Sequence, residues 1–109
     1  MSKIYQLQHQ GFISEASDTY VAILDGRKMK TMAEFYAVLS EALQFPDYFG
    51  ANLDALDELL FEIDWLPSQF VLLIIHHHQN LLENEVAMKD EIWQLLNDID
   101  NPYFEVCRC

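Results

Sequence analysis

Three kinds of side chain in this sequence could do chemistry: an excess of carboxylates, imidazoles at His9, His76, His77 and His78, and thiols at Cys107 and Cys109. Carboxylates can serve as general acids and bases, imidazoles as bases or metal ligands, and thiolates as nucleophiles or metal ligands. Spacing argues against each. Consecutive residues leaving a strand point to opposite faces, so at most two of the three adjacent histidines share a side. The i, i+4 histidine pair by which a helix holds zinc is missing. Cys107 and Cys109 are one residue apart and would close a small strained ring if they paired, so both are expected as reduced thiols. A Gly-rich phosphate loop and a nucleophile elbow are absent, and no Ser or Cys stands beside a placed base. These residues therefore predict no enzyme, no metal and no cofactor; a hydrolase built on the histidine run and the thiols lacks any supporting spacing.

The carboxylates are the informative group. The 109 residues carry Lys+Arg 6 against Asp+Glu 18, a formal net charge of −12, which excludes a nucleic-acid binder. Between Lys30 and Lys89 the chain has no Lys or Arg, and six acids, Asp47, Asp54, Asp57, Glu58, Glu62 and Asp64, crowd into one part of that interval. Like charges packed on one surface cost stability, yet they steer and accelerate association with an opposite field, so the patch predicts a cationic protein partner. A solvated helix face kept soluble by its charge is the plain alternative.

A chain that is 51% hydrophobic with 13% aromatics is too apolar for an acidic disordered tail, and its length suits one domain with one core. Met1 to Gln6 lacks the apolar run of a secretory signal, and no stretch approaches the ~20 apolar residues that span a bilayer. The expectation is a cytoplasmic protein with no membrane contact.

Strand-like and helix-like segments alternate, which reads as α/β. Tyr20–Leu24 and Phe70–Ile75 are short apolar runs that look like strands buried on both faces, and Tyr103–Cys107 is a further strand after Pro102. Residues 3–8 alternate like an edge strand, whereas 11–17 read as loop. Thr31-Met32-Ala33-Glu34 is a capping box opening a helix whose stripe is Met32, Phe35, Tyr36, Leu39 and Leu43, ended by Pro46. A later helix from about Val86 to Ile99 carries Met88, Ile92, Leu95, Leu96 and Ile99 on one face. The long connections between the strands suit helical crossovers, as parallel strands require.

The segment Phe45-Pro46-Asp47-Tyr48-Phe49-Gly50-Ala51-Asn52-Leu53-Asp54-Ala55-Leu56 then resembles the signature of the barstar family of ribonuclease inhibitors, in which proline, an acid, an aromatic pair, glycine and Asn-Leu-Asp-Ala-Leu open the second helix. The resemblance covers about Tyr20 to Cys107, leaving residues 1–18 as an extension and 19–109 as the inhibitor domain. It implies a small three-stranded parallel sheet packed with helices and an intracellular antidote to a secreted ribonuclease or ribonuclease toxin; the further edge strand at the amino terminus rests only on the alternation of residues 3–8, and the free chain is expected to be a monomer. An acidic interaction module of the same fold, serving a basic partner that is not a nuclease, is the alternative.

Physical reading of the same residues gives the motif a mechanism. Gly50 would permit a turn closed to other residues. Asn52 can cap the following helix, and Asp54 in its first turn is favoured by the helix dipole. At 100° per residue Leu53, Leu56, Leu59, Leu60 and Ile63 face the core, while Asp57, Phe61, Asp54, Glu58 and Glu62 share the other arc. Carboxylates so spaced could occupy the phosphate positions of a cleft built for RNA, with Phe61 either an interface anchor among the acids or curled under the core. By resemblance Tyr48, Asn52, Leu53 and Asp54 fall on contact positions, with Phe49 and Gly50 beside them, and Glu58 falls where the family has its most important aspartate. Asp98 on the last helix aligns with a further acidic contact. Two residues depart from the pattern: Asp57 replaces an aromatic of the best-known member, and Glu58 is one methylene longer than aspartate.

Overall fold

The computed structural model describes residues 4–6, 11–14 and 18–109, with side chains from Asp18 onward. In chain order the elements are β1 (Ile4–Gln6), β2 (Gly11–Ser14), β3 (Thr19–Asp25), α1 (Met32–Ala42), α2 (Leu53–Phe61), β4 (Phe70–His76), α3 (Val86–Asn97) and β5 (Phe104–Arg108). Single 3-10 turns at Gly26–Lys28 and His78–Asn80 follow β3 and β4. The strands form one sheet in the order β1-β2-β3-β4-β5. β3, β4 and β5 run parallel, the expected three-stranded core, and β2 and β1 extend it antiparallel beyond β3.

The amino-terminal expectation needs correction. The edge strand expected over residues 3–8 is described at Ile4–Gln6, and part of the expected loop, Gly11–Ser14, is instead a strand paired with Thr19–Ala22. Four residues are too few to show a period, so β2 owes its form to the β3 edge it pairs with. His9 lies outside the described residues.

Double-sided burial of β3 and β4 is also corrected. Tyr20, Ala22 and Leu24 of β3 and Val71, Leu73 and Ile75 of β4 are buried in one core with Phe35 and Leu39 of α1, Leu56 and Leu60 of α2, and Ile92 and Leu96 of α3. On the opposite face Val21, Leu72 and Ile74 are only half-buried and Ile23 is 37% exposed. Among the described residues, helices cover the parallel sheet on one side alone, and the apolar runs satisfy that arrangement.

Local signals set the helix boundaries. Thr31 caps α1 by accepting from the amide of Glu34 at 3.2 Å, but Glu34 Oε1 reaches back to the amide of Lys30 at 3.0 Å rather than to that of Thr31. A second free amide of the first turn, that of Met32, donates to Glu85 Oε1 at 3.0 Å. The helix ends before Pro46 is reached: Gln44 turns left-handed (φ 53°) and the amide of Phe45 returns to the carbonyl of Ser40, a Schellman-type closure. Tyr20 then ties that end to the sheet, its hydroxyl donating to the carbonyl of Ala42 at 2.6 Å. Burial raises the Tyr20 pKa above the ordinary phenol value, and a bond from Gln44 opposes this.

Candidate partner-binding site

The segment between α1 and α2 is held by a train of aromatic edges. Tyr36 meets Phe49 at 5.7 Å, Phe49 meets Phe45 at 4.9 Å, and Phe45 meets Trp65 at 5.9 Å between ring centroids. Trp65 donates its indole N–H to the carbonyl of Leu43 at 2.8 Å, joining the segment after α2 to the end of α1. Phe49, expected among the contact residues, is thus half-buried and a fixing point for the loop, while neighbouring Tyr48 stands 79% exposed.

Asn52 caps α2 as expected, accepting from the amide of Ala55 at 2.8 Å. Gly50 serves a different purpose from the one expected. No described glycine has positive φ; the left-handed residue of this turn is Ala51, at φ 47°. Gly50 supplies space and an acceptor: a Cβ there would sit 3.1 Å from Asn52 Nδ2, which donates to the Gly50 carbonyl at 3.3 Å.

In α2, Leu56, Leu59 and Leu60 are buried, with Leu53 and Ile63 packed against the core, as the arc predicts. Asp54, Asp57, Glu58 and Phe61 all lie exposed, and Phe61, at 55%, is not curled beneath the core. Glu62 departs from the expected face, because its backbone is already extended (φ −138°, ψ 90°) and it ends the helix. The first turn of α2 carries an acid, Asp54, and the last turn carries no base. Asp54 therefore complements the helix dipole while Glu62 opposes it. Among the described residues none of Asp54, Asp57, Glu58, Glu62 and Asp64 makes an ion pair, in contrast to Asp25, paired with Arg27 at 2.8 Å, and Glu83, paired with Lys30 at 3.2 Å.

A cleft of about 340 Å³ runs beside this surface, lined by Tyr48, Phe49, Ala55, Glu58, Leu59, Glu62, Asp64 and Trp65. Three carboxylates over an aromatic floor suit the side chain of a lysine or arginine. A second cleft of about 260 Å³ on the other flank brings Phe61 and Glu62 together with Asp100 and Tyr103. Asn101 joins the two elements there by donating to the carbonyl of Leu60 at 3.1 Å. Asp98 is exposed at the C-cap of α3 rather than on its polar face, and no described contact joins it to the α2 acids.

The described cations gather around the carboxyl-terminal ends of the parallel strands. Arg27 and Lys28 lie in the turn after β3, Lys89 donates to the carbonyl of Gln79 after β4, and Arg108 of β5 stacks 4.8 Å above the ring of Trp93. That end also gathers a group that sequence spacing missed: metal-competent atoms of Asp25, His76 and His77 lie within 4.8 Å of one another. The alternation expected of consecutive histidines fails here, because His77 turns left-handed and comes back beside His76 while His78 leaves towards Trp93; the unseen member was Asp25, which only the strand register places beside His76.

The family model described as Barstar (barnase inhibitor) matches residues 19–105. A Bacillus subtilis (strain 168) protein named "Putative ribonuclease inhibitor YrdF" is 42% identical over 50 residues, which are 46% of this chain and 55% of that protein, so the match spans about half of each. The matched residues run from the start of β3 into β5 and contain the capped loop and α2 whole; the chain belongs to the Barstar family.

Proposed function

We propose that this chain is an inhibitor, without catalytic activity of its own, that binds a basic ribonuclease and occludes its active site with α2 and the loop before it. The observation that carries this reading is the exposed, unpaired set Asp54, Asp57 and Glu58 on one face of a helix whose opposite face is fully committed to the core. A site that cleaves RNA concentrates positive charge where phosphates bind, and carboxylates one helical turn apart, about 5 to 6 Å between Cβ atoms, can stand in for them. Tyr48 and Phe61 flank the acids as exposed aromatics, the residue type that anchors interfaces by burying area with few rotors. The family and the relative's name support the choice of a ribonuclease over another basic protein. The rigid aromatic train behind the loop holds the acids in place before the partner arrives, which lowers the ordering cost of docking.

The test is affinity capture from the source organism's lysate and secreted proteins on immobilised wild-type chain and, in parallel, on an Asp54→Ala, Glu58→Ala chain. The captured partner is then assayed for RNA cleavage alone and with the chain added. The proposal expects a basic protein retained by the wild type only, whose cleavage of RNA stops on complex formation. A basic partner with no RNA-cleaving activity would point instead to an acidic module of the same fold.

A further inference from the structure

At the carboxyl-terminal edge of the sheet, away from α2, lies a cluster that the inhibitor reading does not use. We propose that Asp25, His76 and His77 form a binding site for one borderline divalent transition-metal ion, zinc being the representative case. Three independent features build it. Asp25 and His76 are the last paired residues of the parallel β3–β4 ladder, so their side chains leave the same face side by side. His77 adopts the left-handed conformation (φ 53°, ψ 43°), one that histidine takes more readily than most residues, and this turn leaves its ring 4.9 Å from that of His76. Gly26 makes room for that fold-back, since a Cβ at this position would collide with the carbonyl oxygen of His77.

The third histidine is excluded by the same turn: His78 faces Trp93 edge-on at 6.3 Å. Two imidazole nitrogens and one carboxylate oxygen suit zinc, copper, nickel or cobalt, whereas calcium and magnesium prefer oxygen donors throughout. The three donor atoms lie within 4.8 Å of one another. A tetrahedral zinc with bonds of about 2.0 to 2.1 Å needs them about 3.3 Å apart, a closure that side-chain rotation supplies, with the fourth position left to water.

Arg27 is the competitor. Its Nε and Nη2 donate to both Asp25 carboxylate oxygens at 2.8 to 3.1 Å, while its backbone amide donates to Oδ1 at 2.9 Å. The side chain of Arg27 is 56% exposed against 14% for Asp25, so the guanidinium can swing into solvent and leave the carboxylate to an ion. Removing that guanidinium should therefore tighten metal binding, the reverse of what loss of a merely structural ion pair would do.

The experiment titrates zinc into the full chain, carrying no affinity tag and stripped of metal, against a chromophoric chelator. One zinc per chain is expected. Asp25→Asn keeps the backbone cap and His77→Asn tolerates the left-handed turn, and each should weaken binding roughly ten- to a hundredfold, the range seen when even outer-shell partners of a metal are changed. Arg27→Ala should bind zinc more tightly than wild type, and His78→Asn or the paired Cys107→Ser, Cys109→Ser should bind as wild type does. Absence of saturable binding by the wild type, undiminished binding by His77→Asn, or loss in the thiol variant would each overturn the site.

Discussion

At the scale of single residues, two carboxylates of α2 are set against a third at the other end of the sheet. Asp54→Ala and Glu58→Ala are each expected to weaken partner binding by more than about 2 kcal/mol, the threshold of an interface hot spot, whereas Glu83→Ala removes the same charge with little effect. Glu83 sits at the cationic end, held by Asn80 Nδ2 at 3.1 Å and by Lys30 at 3.2 Å, and those two bonds hold its pKa below the ordinary carboxylate value. Titration calorimetry on the three variants checks the contrast; equal losses in all three would mean that the partner reads bulk acidity. Specificity is proposed to lie in the neighbouring departures, Asp57 and Glu58. Glu58 carries one more rotor than the family aspartate and loses more freedom on docking, and Asp57 would bury an unpaired carboxylate against a partner with an apolar spot there. Asp57→Trp with Glu58→Asp should improve inhibition of a typical family ribonuclease and impair binding of the cognate partner, measured as inhibition constants against both. Nanomolar inhibition of the family enzyme by unmodified chain would show that the two departures carry no specificity.

At the scale of elements, what could be read from sequence was what neighbours in sequence decide. Thr31 and Asn52 cap α1 and α2 because the amides they satisfy lie three residues on, and the core stripes of α1 and α2 follow from a 3.6-residue period. The parts that escaped are settled by distant partners. Ala51 rather than Gly50 takes the left-handed conformation, while Gly50 leaves room for the Asn52 side-chain amide. Trp93 belongs to the core although the expected stripe of α3 omits it, and Phe45, Phe49 and Trp65 show no period that betrays their contact. Asp25 meets His76 only through strand register. The α2 cap gives the element-scale prediction: Asn52→Ala should cost about 1 kcal/mol of stability, in the usual range for a lost N-cap, and should also weaken partner binding because Asp54 sits in the turn it fixes. Urea denaturation and calorimetry on the same variant check both; an unchanged unfolding midpoint would mean the cap contributes nothing.

At the scale of the whole molecule the arrangement is an electric one. Unpaired acids surround α2 at the amino-terminal edge of the sheet, the described cations gather around the strand ends opposite, and the net charge is −12. Such a separation orients the approach of a cationic partner, and the same unpaired acids repel each other while the chain is free. Salt should therefore act in opposite senses on two observables. Raising it should slow association, because screening over about 8 Å at physiological ionic strength blunts the steering, and should raise the thermal midpoint of the free chain by relieving self-repulsion. Stopped-flow association rates and scanning calorimetry over one salt series check this; an association rate flat across the series would remove steering from the mechanism. The central claim, that α2 takes the place of RNA in a ribonuclease cleft, is tested most directly by competition. Binding of the chain to its captured nuclease is measured in the presence of increasing amounts of a non-cleavable RNA analogue. The account predicts strict exclusion, with apparent affinity falling in proportion to the analogue; a ternary complex formed at unchanged affinity would contradict it.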